Sequence, residues 1–211
     1  MKKGIAYLRC ALAVCIFASV LMAGESRAAS PTDPDWPCIQ PKVPQIAAGQ
    51  VWNGPPIEEI GESWREDKII SDLAQKLSQR RTPLDETKTM IGDFAGGLQG
   101  DKSRPLTVLF AGTLSLINSQ RTSIIAGIGR YAKKQRALSK KIEDEMAELS
   151  QLPQDDSEDS ASQRQDLLDV QAWDVRIFQE REKSLRYVCE QPVLLEQRAF
   201  AIGREIMEHL K

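Results

Sequence analysis

The chain has 211 residues, of which 41% are apolar and 27% charged, a composition typical of one ordinary folded domain or two small ones. A formal net charge of −2 provides no basic excess to hold a nucleic-acid backbone, which excludes nucleic acid as the expected partner. The single histidine excludes most His-based catalysis and most His-ligated metal or haem sites, and we expect no cofactor.

Residues 1–28 have the features of a secretory signal peptide. Lysines at positions 2 and 3 precede an almost wholly apolar run from Cys10 to Ala23, and Ser26-Arg27-Ala28 matches a cleavage site. The alternative is a membrane anchor, but this run of about 14 residues is shorter than the roughly 20 needed to span a bilayer. We therefore expect cleavage after Ala28 and export to a bacterial periplasm.

Removal of residues 1–28 leaves two cysteines, Cys38 and Cys189. The signal carries four basic residues and one acidic residue, so 24 of 28 basic and 29 of 30 acidic residues remain, a net charge of −5. A lone cysteine pair in an oxidising compartment usually forms one structural disulfide. The alternative is a redox-active pair, which usually has the close spacing C-x-x-C.

Seven of the eleven prolines lie between Pro31 and Pro56, which predicts an extended, non-helical N-terminal arm over residues 29–56. The arm also contains Trp36 and Trp52. Two interpretations are open for these indoles, because they can pack in grooves of the body or make the arm a docking site for a partner.

Residues 57–211 have the pattern of an all-α helical domain, with no stretch of period two that would demand a strand. A first helix is predicted over residues 57–80. A second is predicted to begin with Thr82 as N-cap and Pro83 in its first turn, and to end at Gly96 and Gly97.

The third predicted helix, from Pro105 to Leu152, is the most informative. A mostly apolar stripe of residues recurs along it in alternating steps of three and four residues for about 40 residues. This spacing predicts a coiled-coil seam. The pattern leaves open a kink at Gly127 and Gly129. The stripe comprises Phe110, Leu114, Ile117, Arg121, Ile124, Ile128, Tyr131, Gln135, Leu138, Ile142, Glu145, Leu149 and Leu152.

A polar turn at 153–162 separates this helix from a fourth helix, predicted over residues 163–189. The two helices should fold back as a long antiparallel hairpin over residues 105–190. Pro192 is predicted to open a fifth helix. A homo-oligomer through the heptad seam is a further arrangement that this pattern allows.

The acidic turn 155–166 can be aligned with a calcium loop, with Asp155, Ser157, Asp159 and Asp166 as candidate ligands. The match is poor, because Ser160 stands where the loop needs glycine and Asp166 is shorter than the usual glutamate. A solvated acidic linker is the favoured interpretation, and we predict no metal.

The sequence contains no nucleophile motif or phosphate-binding loop, and its paired carboxylates lie among lysines and arginines at helical positions. These carboxylates are more simply explained as a solvated face, and we expect a non-enzymatic protein.

Six basic residues lie within twelve positions with no acidic residue among them. This basic cluster can contact an acidic partner or an anionic membrane surface, or it can pair across the hairpin with Asp174, Glu180 and Glu182. The second interpretation is slightly favoured. The cluster comprises Arg130, Lys133, Lys134, Arg136, Lys140 and Lys141.

The leading expectation is a disulfide-stapled, exported interaction, adaptor or accessory protein that binds another periplasmic or envelope protein. The arm tryptophans and the basic cluster are its candidate contacts. The alternative is a helical bundle that binds a small ligand or a hard cation at the acidic turn.

Overall fold

The computed structural model describes residues 33–153 and 157–210; the predicted signal peptide and the first residues of the arm lie outside the described residues. The described part is all-α and contains no strand, which confirms the predicted fold class. None of its helices is both long and apolar enough to cross a membrane. The helices are α1 (Ala48–Val51), α2 (Lys68–Ser78), α3 (Leu84–Gly97), α4 (Ser103–Gln151) and α5 (Glu158–Glu208), with a 3-10 turn at Ser63–Arg65.

Helices α4 and α5 form the predicted hairpin. The 49 residues of α4 run without interruption through both central glycines, over a length of about 74 Å. Two polar side chains of its seam reach the backbone of α5, since the Tyr131 hydroxyl donates to the carbonyl of Arg181 (2.7 Å) and Gln135 Nε2 donates to that of Phe178 (2.8 Å). The seam therefore lies against α5 of the same chain.

The prediction of separate fourth and fifth helices was wrong, because α5 is one helix of 51 residues with Pro192 inside it. Proline removes one backbone donor, which normally interrupts a helix. Two side chains bind this stretch of backbone from outside the helix, since Arg121 donates to the carbonyl of Pro192 and Gln40 donates to that of Cys189, whereas the carbonyl that loses its helical donor is that of Val188. Pro192 is also buried against the body, so tertiary packing holds the helix together at this point.

The predicted first helix was too long at both ends. Gly61 adopts a left-handed conformation with φ of 51°, which only glycine adopts without strain, and this breaks the segment before α2. Asp67 then caps α2, because its side chain accepts hydrogen bonds from the backbone N–H groups of Ile69 (2.8 Å) and Ile70 (3.1 Å).

The arm and the start of α3 also differ in detail from the prediction. The arm contains the single-turn helix α1, in the proline-free stretch between Pro44 and Pro55. Pro83 rather than Thr82 occupies the N-cap position of α3, because the Thr82 hydroxyl donates instead to the carbonyl of Lys76 (3.1 Å).

A buried arginine joins α5 to the segment around α2 and α3. Arg198 donates from Nε to the carbonyl of Leu77 (2.6 Å), from Nη1 to the carbonyl of Thr82 (2.8 Å) and from Nη2 to the Thr87 hydroxyl (3.1 Å). Its burial lowers the pKa of the guanidinium group. One side chain therefore fixes the end of α2, the connecting turn and the first turn of α3.

The body of the protein packs on only one half of the hairpin. Beyond Ala132 in α4 and before Pro192 in α5, the only buried side chains are Glu145 and Asp174. Residues 133–151 and 158–180 form a pair of helices, here called the distal hairpin, which the described body leaves uncovered except where the arm meets Lys133 and Arg136. It is about 28 Å long on the α4 side. Its seam combines half-buried aliphatic side chains, namely Leu138, Ile142 and Leu149, with two buried carboxylates.

Candidate functional site

The predicted disulfide is present and joins the arm to α5. Cys38 and Cys189 are bonded with their Cα atoms 5.5 Å apart across 151 residues of sequence. Cys38 is buried together with Trp36, Ile125 and Ile128, so the bond closes a small apolar cluster between the arm and the hairpin.

Both arm tryptophans lie inside the molecule. Trp36 is 6% exposed and its indole N–H donates to the carbonyl of Gln40 (2.6 Å). Trp52 is 5% exposed and stacks on Phe110 with ring centroids 4.1 Å apart. A partner could reach either indole only if the arm left the body, so we do not include them in the candidate surface.

The basic cluster is partly neutralised by the arm, a pairing that the sequence analysis missed. Asp35 forms ion pairs with Lys133 (3.2 Å) and with Arg136, which also donates to the carbonyl of Pro34. The arginine is the largest cause of the lowered pKa of Asp35. The positive charge near the start of the cluster therefore helps to hold the arm in place.

The far end of the cluster pairs within the hairpin. Lys140 pairs with Asp144 on its own helix (2.8 Å). Lys141 reaches across to Asp174, as expected, and also pairs with Glu145 (3.3 Å). Two carboxylates of the distal seam thus share one ammonium group.

The other expected cross-hairpin pairs are not formed. Glu180 pairs with Lys183 on its own helix (3.0 Å), and Glu182 lines a groove beside the disulfide. Within the described segments, Arg130 and Lys134 have no ion-pair partner. Of the six basic residues, these two retain charge for a contact outside the chain.

The pair between Lys141 and Asp174 makes the stability of the distal hairpin depend on pH. Lys141 is the largest cause of the lowered pKa of Asp174, which normally titrates near 3.8. A carboxyl group with a lowered pKa in the folded state stabilises that state above its unfolded pKa, and this contribution disappears as the pH falls through the folded value.

We therefore expect Asp174→Asn to lower the urea midpoint of unfolding at pH 7, with a gap to the wild type that narrows as the pH falls below about 4. Asp144→Asn is the matched control, because that carboxylate forms an exposed pair within one helix and should have a much smaller effect. If the difference in urea midpoint between the wild type and Asp174→Asn stayed constant from pH 7 to pH 3, the ion pair of Asp174 with Lys141 would not be the cause of the pH dependence.

The acidic turn does not have the form of a calcium loop in its described part. Asp155 lies outside the described residues. Ser157 caps α5, since its hydroxyl accepts a hydrogen bond from the Ser160 N–H (3.3 Å), and helix begins at Glu158. Asp159 and Asp166 are consequently about 10 Å apart along a helix rather than wrapped round one point. The described residues contain no group of three His, Cys, Asp or Glu side chains placed to hold a metal ion.

The strongest surface feature of the distal hairpin is an exposed indole on α5. Trp173 is 60% exposed and Val170, one turn earlier on α5, is 47% exposed. The seam of α5 instead runs through Gln171 and Asp174, so the apolar side chains beside them face outward. The seam spacing of three and four residues, extended back from Leu195, could have revealed this displacement.

Trp173 lies level with the basic cluster. Its neighbour Asp174 contacts Lys141, and Lys134 precedes the Gln135 that contacts α5 one turn further on. Val170, Trp173 and the half-buried Ile177 form a stripe at helical spacing. The distal hairpin therefore combines an aromatic and aliphatic stripe with the paired Lys141 at the same level and the unpaired Lys134 about 10 Å further along α4.

Comparison with protein-family models, with curated proteins and with solved structures finds no match for this chain.

Proposed function

We propose that this chain is an exported, non-enzymatic interaction or adaptor protein of a bacterial periplasm, which binds another envelope protein through the distal hairpin. The single observation that carries the proposal is the exposure of Trp173 on a part of the hairpin that no other described element covers. Exposed tryptophan is enriched at protein–protein contacts, where it adds a large apolar area with little loss of conformational freedom.

Charge supports a protein partner over a membrane surface. Four of the six residues of the basic cluster are engaged in ion pairs with Asp35, Asp144, Glu145 and Asp174, which leaves little net attraction for anionic lipid. Within the distal hairpin, Lys134 retains its charge and suits a specific contact. The partner chemistry that fits is an apolar surface flanked by acidic residues.

The disulfide supports export, because such bonds persist in oxidising compartments such as the periplasm. The predicted signal peptide would direct the chain across the inner membrane to the periplasm. The intact mass of the protein isolated from periplasm should therefore correspond to a chain that begins at residue 29 and has lost two hydrogen atoms through formation of the disulfide. A mass that retains residues 1–28 would contradict the export part of the proposal.

The binding part is tested by photo-crosslinking in the native cell, with a photoreactive amino acid in place of Val170. We expect one discrete protein adduct, which disappears when Trp173→Ala or Lys134→Glu is added to the same chain. Ile69 is the matched control position, because it is 70% exposed on α2 of the body. Adducts that form equally from both positions, or that survive Trp173→Ala, would overturn the assignment.

A further inference from the structure

The outer face of α5 near the body carries a second repeat of seven residues, on the side opposite the seam. Tyr187 and Leu194 are seven residues apart and 66% and 46% exposed. Val193 and Phe200 have the same separation and are 37% and 51% exposed. Apolar side chains at this spacing are typical of a helix that packs along another helix, and no element in the described part of the chain covers them.

The line between these two apolar ridges is polar and has opposite charges at its ends. It consists of Glu190, Gln197 and Arg204, which are exposed and lie seven residues apart. Arg204 also extends over the ring of Phe200, 5.9 Å from its centroid. The face therefore has a neutral centre, an acidic end and a basic end.

We propose that this face binds the same face of a second copy of the chain, in antiparallel orientation about a two-fold axis at Gln197. In such a dimer each contact occurs twice, since the same patch contributes from both copies. Glu190 then lies opposite Arg204 of the second copy, and Gln197 lies opposite Gln197 of the second copy. The charges of the two ends complement each other.

The apolar residues follow the same register. The two-fold axis pairs each ridge with itself, so Val193 lies opposite Phe200 of the second copy, and Arg186 lies opposite the exposed Glu208 of the second copy. Parallel pairing would instead place Glu190 against Glu190 and Arg204 against Arg204, which is repulsive. The pattern of charge therefore selects the antiparallel dimer.

The apolar surface continues beyond the helix face into the groove beside the disulfide, which has a volume of about 540 Å³. Val193 and Leu194 line this groove together with Ile39, whose side chain is fully exposed. The antiparallel register brings the last turn of α5 of the second copy to the mouth of this groove. The inference is independent of the proposed function, because it uses the opposite half of the hairpin.

The test is sedimentation equilibrium of the protein as isolated from the cell, over a range of concentrations. We expect a monomer–dimer equilibrium, with a dissociation constant that rises at least about tenfold in Glu190→Arg, because the symmetry converts two attractive pairs into two repulsive ones. Arg204→Glu should have the same effect, and the double variant Glu190→Arg with Arg204→Glu should recover the dimer. Asp169→Arg is the matched control, since it makes the same charge change on α5 far from this face.

A protein that remains monomeric at about 100 µM, a concentration well above that at which a micromolar dimer forms, would overturn the proposal. A dimer that is unaffected by Glu190→Arg, or one that the double variant does not recover, would also overturn it. The circular dichroism melt of each variant shows that it is folded, since the altered side chains are exposed.

Discussion

Replacement of both Cys38 and Cys189 by serine is expected to lower the free energy of unfolding by about 4–5 kcal/mol. The bond closes a loop across 151 residues, and a cross-link of this span strongly restricts the unfolded chain. Guanidinium denaturation of the wild type and the double variant, at one pH and ionic strength, measures the difference.

The control separates the cross-link from the packing of the sulfur atoms. Cys38 is buried, so a serine hydroxyl at this position adds an unfavourable polar group. Wild-type protein reduced with dithiothreitol keeps the sulfurs and loses only the bond. A loss below about 1 kcal/mol in the reduced protein would contradict the expectation, and would show that other contacts restrict the arm as effectively as the bond.

Replacement of Arg198 by methionine is expected to lower the free energy of unfolding by about 3 kcal/mol, because three buried acceptors lose their donor at once. Methionine retains most of the side-chain volume, so the cavity contribution is small. Urea denaturation measures the loss. Hydrogen exchange should also show faster opening of the last turn of α2, whose Leu77 carbonyl accepts from the Arg198 Nε–H.

Arg176→Met is the matched control for this substitution. It makes the same change on the same helix at an exposed position and should alter the stability by no more than about 0.5 kcal/mol. Equal effects of the two substitutions would mean that Arg198 stabilises through general charge rather than through its three hydrogen bonds.

The hairpin could be predicted from the sequence because its signal is both local and repeated. The stripe of α4 continues in steps of three and four residues for about eleven turns, with apolar residues at all but three positions, and one or two glycines cannot outweigh so many consistent steps. The disulfide could be predicted equally well from the sequence, because only two cysteines follow the predicted signal peptide. These predictions used rules that need no knowledge of the tertiary structure.

The failures involve contacts between distant parts of the chain. Pro192 ends a helix by local rules, yet Arg121 and Gln40 approach from α4 and the arm and supply donors to the α5 backbone. Asp35 neutralises Lys133 and Arg136 from about 100 residues away, and nothing in the local sequence marks it. Propensity and spacing describe a segment by itself, whereas these features depend on which segment lies next to it.

The candidate surface likewise combines features that the local sequence predicts with features that depend on contacts between distant segments. The basic cluster was visible as a run of like charges, but which of its members remain available depends on the fold. Trp173 was visible as an apolar residue, but its exposure depends on a single-residue offset from the seam at Asp174. Whether a side chain stays exposed depends on which other segments lie over it, and this is a property of the folded chain.

The span of the disulfide also sets an order of events during synthesis. Cys38 is made early and must wait while 151 further residues are added, which takes about 8–30 s at ordinary translation rates. The arm is in the same position, because Trp36 packs beside this bond and the carbonyl of Val51 lies against Gly203. During this interval the thiol of Cys38 has no partner, and the two indoles stay exposed until Phe110, Ile125 and Ile128 of α4 have been added. A holding chaperone is therefore most useful to this protein before α5 is complete, and an N-terminal fragment that stops short of α5 should aggregate rather than fold.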